Sequence, residues 1–157
     1  MRETILVPLD GSKVGESALP YVEDLLSKLS PEVEKELILL RVLSPVMVTM
    51  ASGEGQLPDS YATEKEREAQ EKDALDYLNT VSVTLRNKGA VVTVRVAMGD
   101  TPAEIIKVAE EADVDLIAMS THGRSGLSRW AFGSVTEKVL RSEGRIPICV
   151  VRARKES

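Results

Sequence analysis

The stretch "VDLIAMSTHGRSGLSRWAFGSVTEKVL", residues 114–140, holds one complete passage from strand to helix. Val114–Thr121 is a short, almost unbroken apolar run, a glycine-bearing loop follows, and a helix is expected to open at Ser134. A strand covered by helices on both faces reads as such a run, whereas a strand with one wet face alternates. The passage therefore predicts one βα unit of a parallel sheet.

The same reading extends outward in both directions. Four further β-branched runs are "ETILVPLD" (3–10), "ELILLRVL" (36–43), "AVVTVRVAM" (90–98) and "RIPICVVRA" (145–153). Between them, Ala18, Leu19, Val22, Leu25, Leu26 and Leu29 mark one face of a first helix. Leu75, Leu78, Val81 and Leu85 do the same late in a second, which is expected to begin near Ser60 or Thr63. Its mixed-charge run "EKEREAQEKD" reads as a solvated face. In a third helix Thr101 is expected at the N-cap, Pro102 at the first helical position and Glu104 at N3. Strands alternating with helices imply right-handed parallel βαβ units. The expected fold is α/β: an open, mostly parallel five-stranded sheet flanked by helices on both faces, Rossmann-like, in one domain over residues 1–157. The one long irregular segment is a loop at about 44–60.

Composition narrows the function classes. Hydrophobic residues make up 43% and charged residues 29%, the balance of a globular chain, while aromatics at 3% leave the core to Val, Ile, Leu and Ala. A net charge of −5 argues against sequence-independent nucleic-acid binding. Cys149 is the one cysteine, so no internal disulfide forms, and its apolar setting reads as a small buried hydrophobe. The N-terminus lacks the pattern of a signal peptide, and the most apolar segment, interrupted by Arg41 and Pro45, is too short to span a membrane. A cytoplasmic location without membrane attachment is expected.

In open α/β sheets ligands bind beyond the C-terminal ends of the strands, where strand order reverses. That rule selects Pro8, Leu9, Asp10 and Gly11 after the first strand, Val42 onward after the second and Met119 onward after the fourth. In the last, Gly123 and Gly126 allow close backbone approach, and Gly133-Ser134 begins a helix whose first N–H groups are unsatisfied. From Met119 to Arg145 there are five Lys/Arg (124, 129, 138, 141, 145) against two Glu (137, 143), a locally positive segment. "SVTE" also reads as a capping box, in which Ser134 and Glu137 satisfy each other's amides. The residues alone leave both a capped loop and an anion site open. There is no P-loop and no G-x-G-x-x-G after a strand. His122 lacks a nucleophile in a G-x-S-x-G setting and reads as structural, and Trp130 and Phe132 read as packing anchors. No catalytic residue and no protein metal site is assigned.

"ILVPLDGS", "MSTHGRSGLSRWAFGSVTEKVLR" and "IPICVVR" together resemble the universal stress protein family, over essentially the whole chain. Its nucleotide-binding members carry G-x2-G-x9-G-[ST]; here Gly123 and Gly133-Ser134 fit that spacing, with Ser120 in the first position. The resemblance implies an adenine nucleotide, ATP, with Mg²⁺ accompanying its phosphates. It implies Asp10 beside the adenine or ribose, Pro8 and Leu9 lining the base pocket, and Val42 meeting the adenine. Met119, Ser120 and Gly123 would flank the ribose and first phosphates, and Gly133, Ser134, Val135 and Thr136 would contact the phosphates. Arg124, chosen from charge, is added as an outer phosphate contact. The family also implies a homodimer through the last strand, about Pro147 to Ala153, an apolar edge that needs protection. The implied function is an ATP-binding regulatory module of the stress response with slow or no hydrolysis. A slow ATPase or nucleotidyl transferase, and a structural dimer without nucleotide, remain as alternatives.

Overall fold

In a computed structural model, residues 1–44, 64–121 and 133–153 are described. The expected loop at about 44–60 lies outside them beyond Ser44, as does the expected helix start at Ser60 or Thr63. The chain runs β1 (Arg2–Pro8), a 3-10 turn (Gly15–Ala18), α1 (Leu19–Lys28), β2 (Glu34–Leu43) and α2 (Glu64–Asn87). It continues through β3 (Val91–Met98), α3 (Thr101–Glu111), β4 (Leu116–Ser120), α4 (Ser134–Leu140) and β5 (Ile148–Val151). The five strands form one sheet in the order β3-β2-β1-β4-β5, and every pairing is parallel.

Two apolar clusters explain why the strands read as continuous runs. On one face Ile5, Val7, Leu37, Leu39 and Ala118 pack with Leu19, Val22 and Leu26 of α1 and Leu78 and Leu85 of α2. On the other, Leu6, Ile38, Leu40, Ile117 and Met119 pack with Ile105, Val108 and Ala109 of α3 and Val139 of α4. Successive residues of a strand point to opposite faces, so Ile5, Leu6 and Val7 in central β1 are all fully buried. The charged start of α2 is almost wholly exposed, as a solvated face should be, and its Lys72–Asp76 pair sits in water where such pairs contribute little.

The helix after β4 opens at Ser134 as expected, but two N-caps fall one residue earlier than the sequence reading put them. The N-cap of α3 is Asp100, not Thr101: Asp100 is extended and its carboxylate accepts from the Ala103 amide at 3.2 Å. Aspartate is as good a cap as threonine, and Thr101 becomes the first helical residue. The capping box at Ser134 does not form. The N-cap of α4 is Gly133 (φ −55, ψ 151) without a side-chain cap, and its carbonyl accepts from the Glu137 amide at 2.9 Å. Glu137 instead meets Arg141 one turn on, at 2.8 Å. A hydroxyl one residue inside the helix is misplaced for the amides that an N-cap side chain reaches.

Candidate nucleotide site at the strand exits

Strand order reverses between β1 and β4, since β2 and β3 are added on one side of β1 and β4 and β5 on the other. Crossovers therefore leave to opposite faces, and a crevice opens beyond the C-terminal ends of β1 and β4.

At the exit of β1 the Leu9 amide still bonds to the Leu40 carbonyl at 2.8 Å. The chain then turns on its own side chains. The Asp10 carboxylate accepts from the Ser12 amide at 2.9 Å and from the Ser12 hydroxyl at 2.6 Å. That hydroxyl in turn accepts from the Gly15 amide at 3.0 Å, leading into the 3-10 turn. An aspartate bonding two residues ahead mimics a backbone turn. Both glycines of the turn lie close against neighbouring side chains. Gly11 has φ +84, and a Cβ there would sit 2.2 Å from Nη1 of Arg41; one at Gly15 would sit 2.4 Å from Oδ1 of Asp10.

The exit of β4 is stitched to its surroundings mainly through backbone. The Thr121 amide donates to the Val151 carbonyl at 2.9 Å, and the Ala153 amide donates to the Thr121 hydroxyl at 3.1 Å. The Gly133 amide returns to the Thr121 carbonyl, which brings the start of α4 back to the strand end. The buried Thr136 hydroxyl donates to the Ser120 carbonyl at 3.0 Å. The Ser120 hydroxyl donates across the crevice floor to the Gly15 carbonyl at 3.4 Å, joining the two exits. Ser120 shares the sheet face of Ala118, so its side chain lies under the β1 turn. The first three amides of a helix have no intrahelical partner; in α4 these belong to Ser134, Val135 and Thr136.

The expected residues thus divide. Asp10, Ser120, Gly133, Ser134 and Thr136 converge on the two exits. Val42, Met119 and Val135 belong to one apolar cluster on the α3/α4 face. Pro8 closes β1. Leu9 is only 4% exposed, and its side chain packs with Val7 and Leu19 on the α1/α2 face, so it backs the turn. Gly123 and Arg124, with His122, Trp130 and Phe132, lie outside the described residues. Two surface grooves lie elsewhere, one of 380 Å³ between α3 and α4 and one of 570 Å³ between α1 and α2, and neither is bordered by an expected site residue. Among the described residues no group of three or more His, Cys, Asp or Glu could hold a metal ion. No helix among them is long and apolar enough to cross a membrane.

Sequence reasoning missed a second set of residues around the β1 turn. Arg41 of β2 carries its guanidinium over Gly11 and 5.7 Å from the centre of the Tyr77 ring. The Tyr77 hydroxyl donates to Oε1 of Glu16 at 2.9 Å, tying α2 to the 3-10 turn. Burial raises the Tyr77 pKa well above its usual value, reinforced by the bond to Glu16 and the charges of Glu16 and Asp10, and opposed by Arg41. The available signal was Arg41 itself, a cation inside an apolar run beside Val42.

Known proteins share this architecture. Universal stress protein MJ0577 of Methanocaldococcus jannaschii is 29% identical over 164 aligned residues, covering 100% of this chain and 98% of that protein. The solved structure of MJ0577 matches with a TM-score of 0.77 at 30% identity, over 99% of this chain and 98% of that one. A universal stress protein in complex with cAMP (16% identical, TM-score 0.63, covering 97% and 98%) has the same fold. So does an Arabidopsis thaliana family protein with AMP bound (12%, TM-score 0.64, covering 97% and 92%). The model of the Universal stress protein family matches residues 1–152, and the chain belongs to that family.

Proposed function

We propose that the chain binds an adenine nucleotide, ATP with Mg²⁺, in the crevice between β1 and β4 and acts as a regulatory module with slow or no hydrolysis. The observation that carries this reading is the uncapped start of α4 held against the end of β4, opposite the Asp10 turn. Gly133 and Ser134 close the nine-residue spacing from Gly123. Phosphates then lie against the amides of Ser134, Val135 and Thr136, with Gly123 and Arg124 completing the cradle. The ribose lies by Met119, Ser120 and Asp10, and the base lies toward Pro8, the Leu9 main chain and Val42. Family members with AMP or cAMP bound support the choice of an adenine nucleotide. Ser120 in place of the first motif glycine is compatible, because its hydroxyl is turned beneath the β1 turn toward Gly15.

Two chains are proposed to associate through β5, an edge strand paired on one side only and half-exposed along Ile148–Val151. Isothermal titration of the full chain with ATP and Mg²⁺ tests the binding reading. Saturable heat at one nucleotide per chain is expected, and no heat at millimolar nucleotide rejects it.

A further inference from the structure

Arg41 is the described cation placed most distinctively at the strand exits. It lies on β2 next to Val42, and its guanidinium is held between the Gly11 backbone and the Tyr77 ring. A guanidinium is planar, carries five N–H donors and accepts nothing. Its Nη1 end lies by Gly11 and its carbon 5.7 Å from the Tyr77 ring centre, which leaves its N–H groups for hydrogen bonding. Among the described residues those donors meet no hydrogen-bond acceptor and no carboxylate within ion-pair distance. Its neighbours' groups are committed elsewhere: Asp10 to Ser12, and Glu16 to Tyr77 and Lys13. No side-chain nitrogen or oxygen among the described residues is both buried and without a partner, so the Arg41 donors are reachable from solvent.

Position selects what the edge meets. β2 and β4 flank β1, so their ends are two inter-strand spacings apart, about 10 Å. A nucleotide with its phosphates at the start of α4 brings its nucleoside end, not its phosphates, to β2. We propose that Arg41 is a nucleoside-contacting residue of the site, donating from its guanidinium edge to acceptor atoms of the base or ribose. The assignment rests on the nucleotide reading above and adds to it a residue outside the glycine motif. Tyr77 acts as a positioning residue, fixing the plane of the guanidinium through its ring and not through its hydroxyl.

The test is titration of the full chain and of Arg41→Ala, Arg41→Lys and Tyr77→Leu with ATP, AMP and inorganic tripolyphosphate. Arg41→Ala is expected to weaken ATP and AMP alike by about tenfold or more while leaving tripolyphosphate unchanged. Arg41→Lys, which keeps the charge but loses the planar fork, should recover only part of that loss. Tyr77→Leu, which removes the ring, should weaken ATP and AMP by less than Arg41→Ala does while leaving tripolyphosphate unchanged. Circular dichroism and thermal melts check that each variant is folded. Unchanged affinity for ATP and AMP in Arg41→Ala overturns the proposal, and so does a matching loss of tripolyphosphate, which makes Arg41 a phosphate contact. If the parent binds tripolyphosphate but neither nucleotide, the nucleoside contact fails while an anion site stands. If the parent binds none of the three, the nucleotide reading falls and this assignment with it.

Discussion

At the end of β1 the chain turns on side chains, with Asp10 holding Ser12 and Ser12 holding Gly15. At the end of β4 the next helix opens on Gly133, with no side-chain cap on its first amides. One exit is closed by its own hydrogen bonds; at the other, among the described residues, no side chain caps the helix amides. A self-satisfied turn keeps its shape without a ligand and can set the geometry of the nucleoside side. An uncapped helix start gains most from an anion, because its amides otherwise rely on water. The Ser120–Gly15 and Thr136–Ser120 bonds join the two exits into one floor.

The contrast can be broken most strongly at Asp10. Asp10→Ala strips the acceptor from both the Ser12 amide and the Ser12 hydroxyl, and a destabilisation of about 2–3 kcal/mol is expected. Urea melts measure that cost, and nucleotide titration should show weakened binding beside it. A change below ~0.5 kcal/mol would mean that the turn holds its shape by other means. Next is Gly11→Val, which forces a β-branched residue to φ +84 and drives its Cβ into the Arg41 guanidinium. The backbone strain alone costs about 1–2 kcal/mol, read in the same melts.

Tyr77→Phe removes one partly buried hydrogen bond to Glu16 and should cost about 1 kcal/mol near neutral pH. It should also change the alkaline limb of stability. The folded chain holds the Tyr77 proton more tightly than the unfolded chain, whose phenol titrates near 10. The extra stability is therefore complete below that pH and is lost as pH rises beyond it. Melts of parent and variant should converge above pH 10, and parallel curves would contradict the assigned environment. The smallest effect belongs to Ser134→Ala, since that hydroxyl caps nothing. Stability should stay within about 0.5 kcal/mol, whereas a true N-cap would lose about 1 kcal/mol.

Most of the architecture was legible in the chain itself. The five apolar runs became five parallel strands because burial on both faces leaves an unbroken hydrophobic signature. The exits followed from strand alternation, so the sequence alone places Asp10, Val42 and Met119 at strand ends. The caps at Asp100 and Gly133 were harder, because neighbouring residues with similar propensities compete and a shift of one position decides which side chain caps. Leu9 illustrates a different limit: adjacency to Asp10 in sequence says nothing about which face a side chain takes once the strand ends. Of the Arg41–Tyr77–Glu16 group only Arg41 left a mark in the sequence, because Tyr77 and Glu16 are 61 residues apart and meet only in the folded chain.

The central claim is that an adenine nucleotide sits between these two exits, and native mass spectrometry of the full chain beside Gly133→Val tests it most directly. Gly133 has φ −55, which valine also adopts, so the variant should fold while its side chain crowds the phosphate approach. The account predicts one adenine nucleotide per chain in the parent, supplied as ATP with Mg²⁺, and none in the variant. A parent that retains no nucleotide, or a variant that retains it equally well, would contradict it.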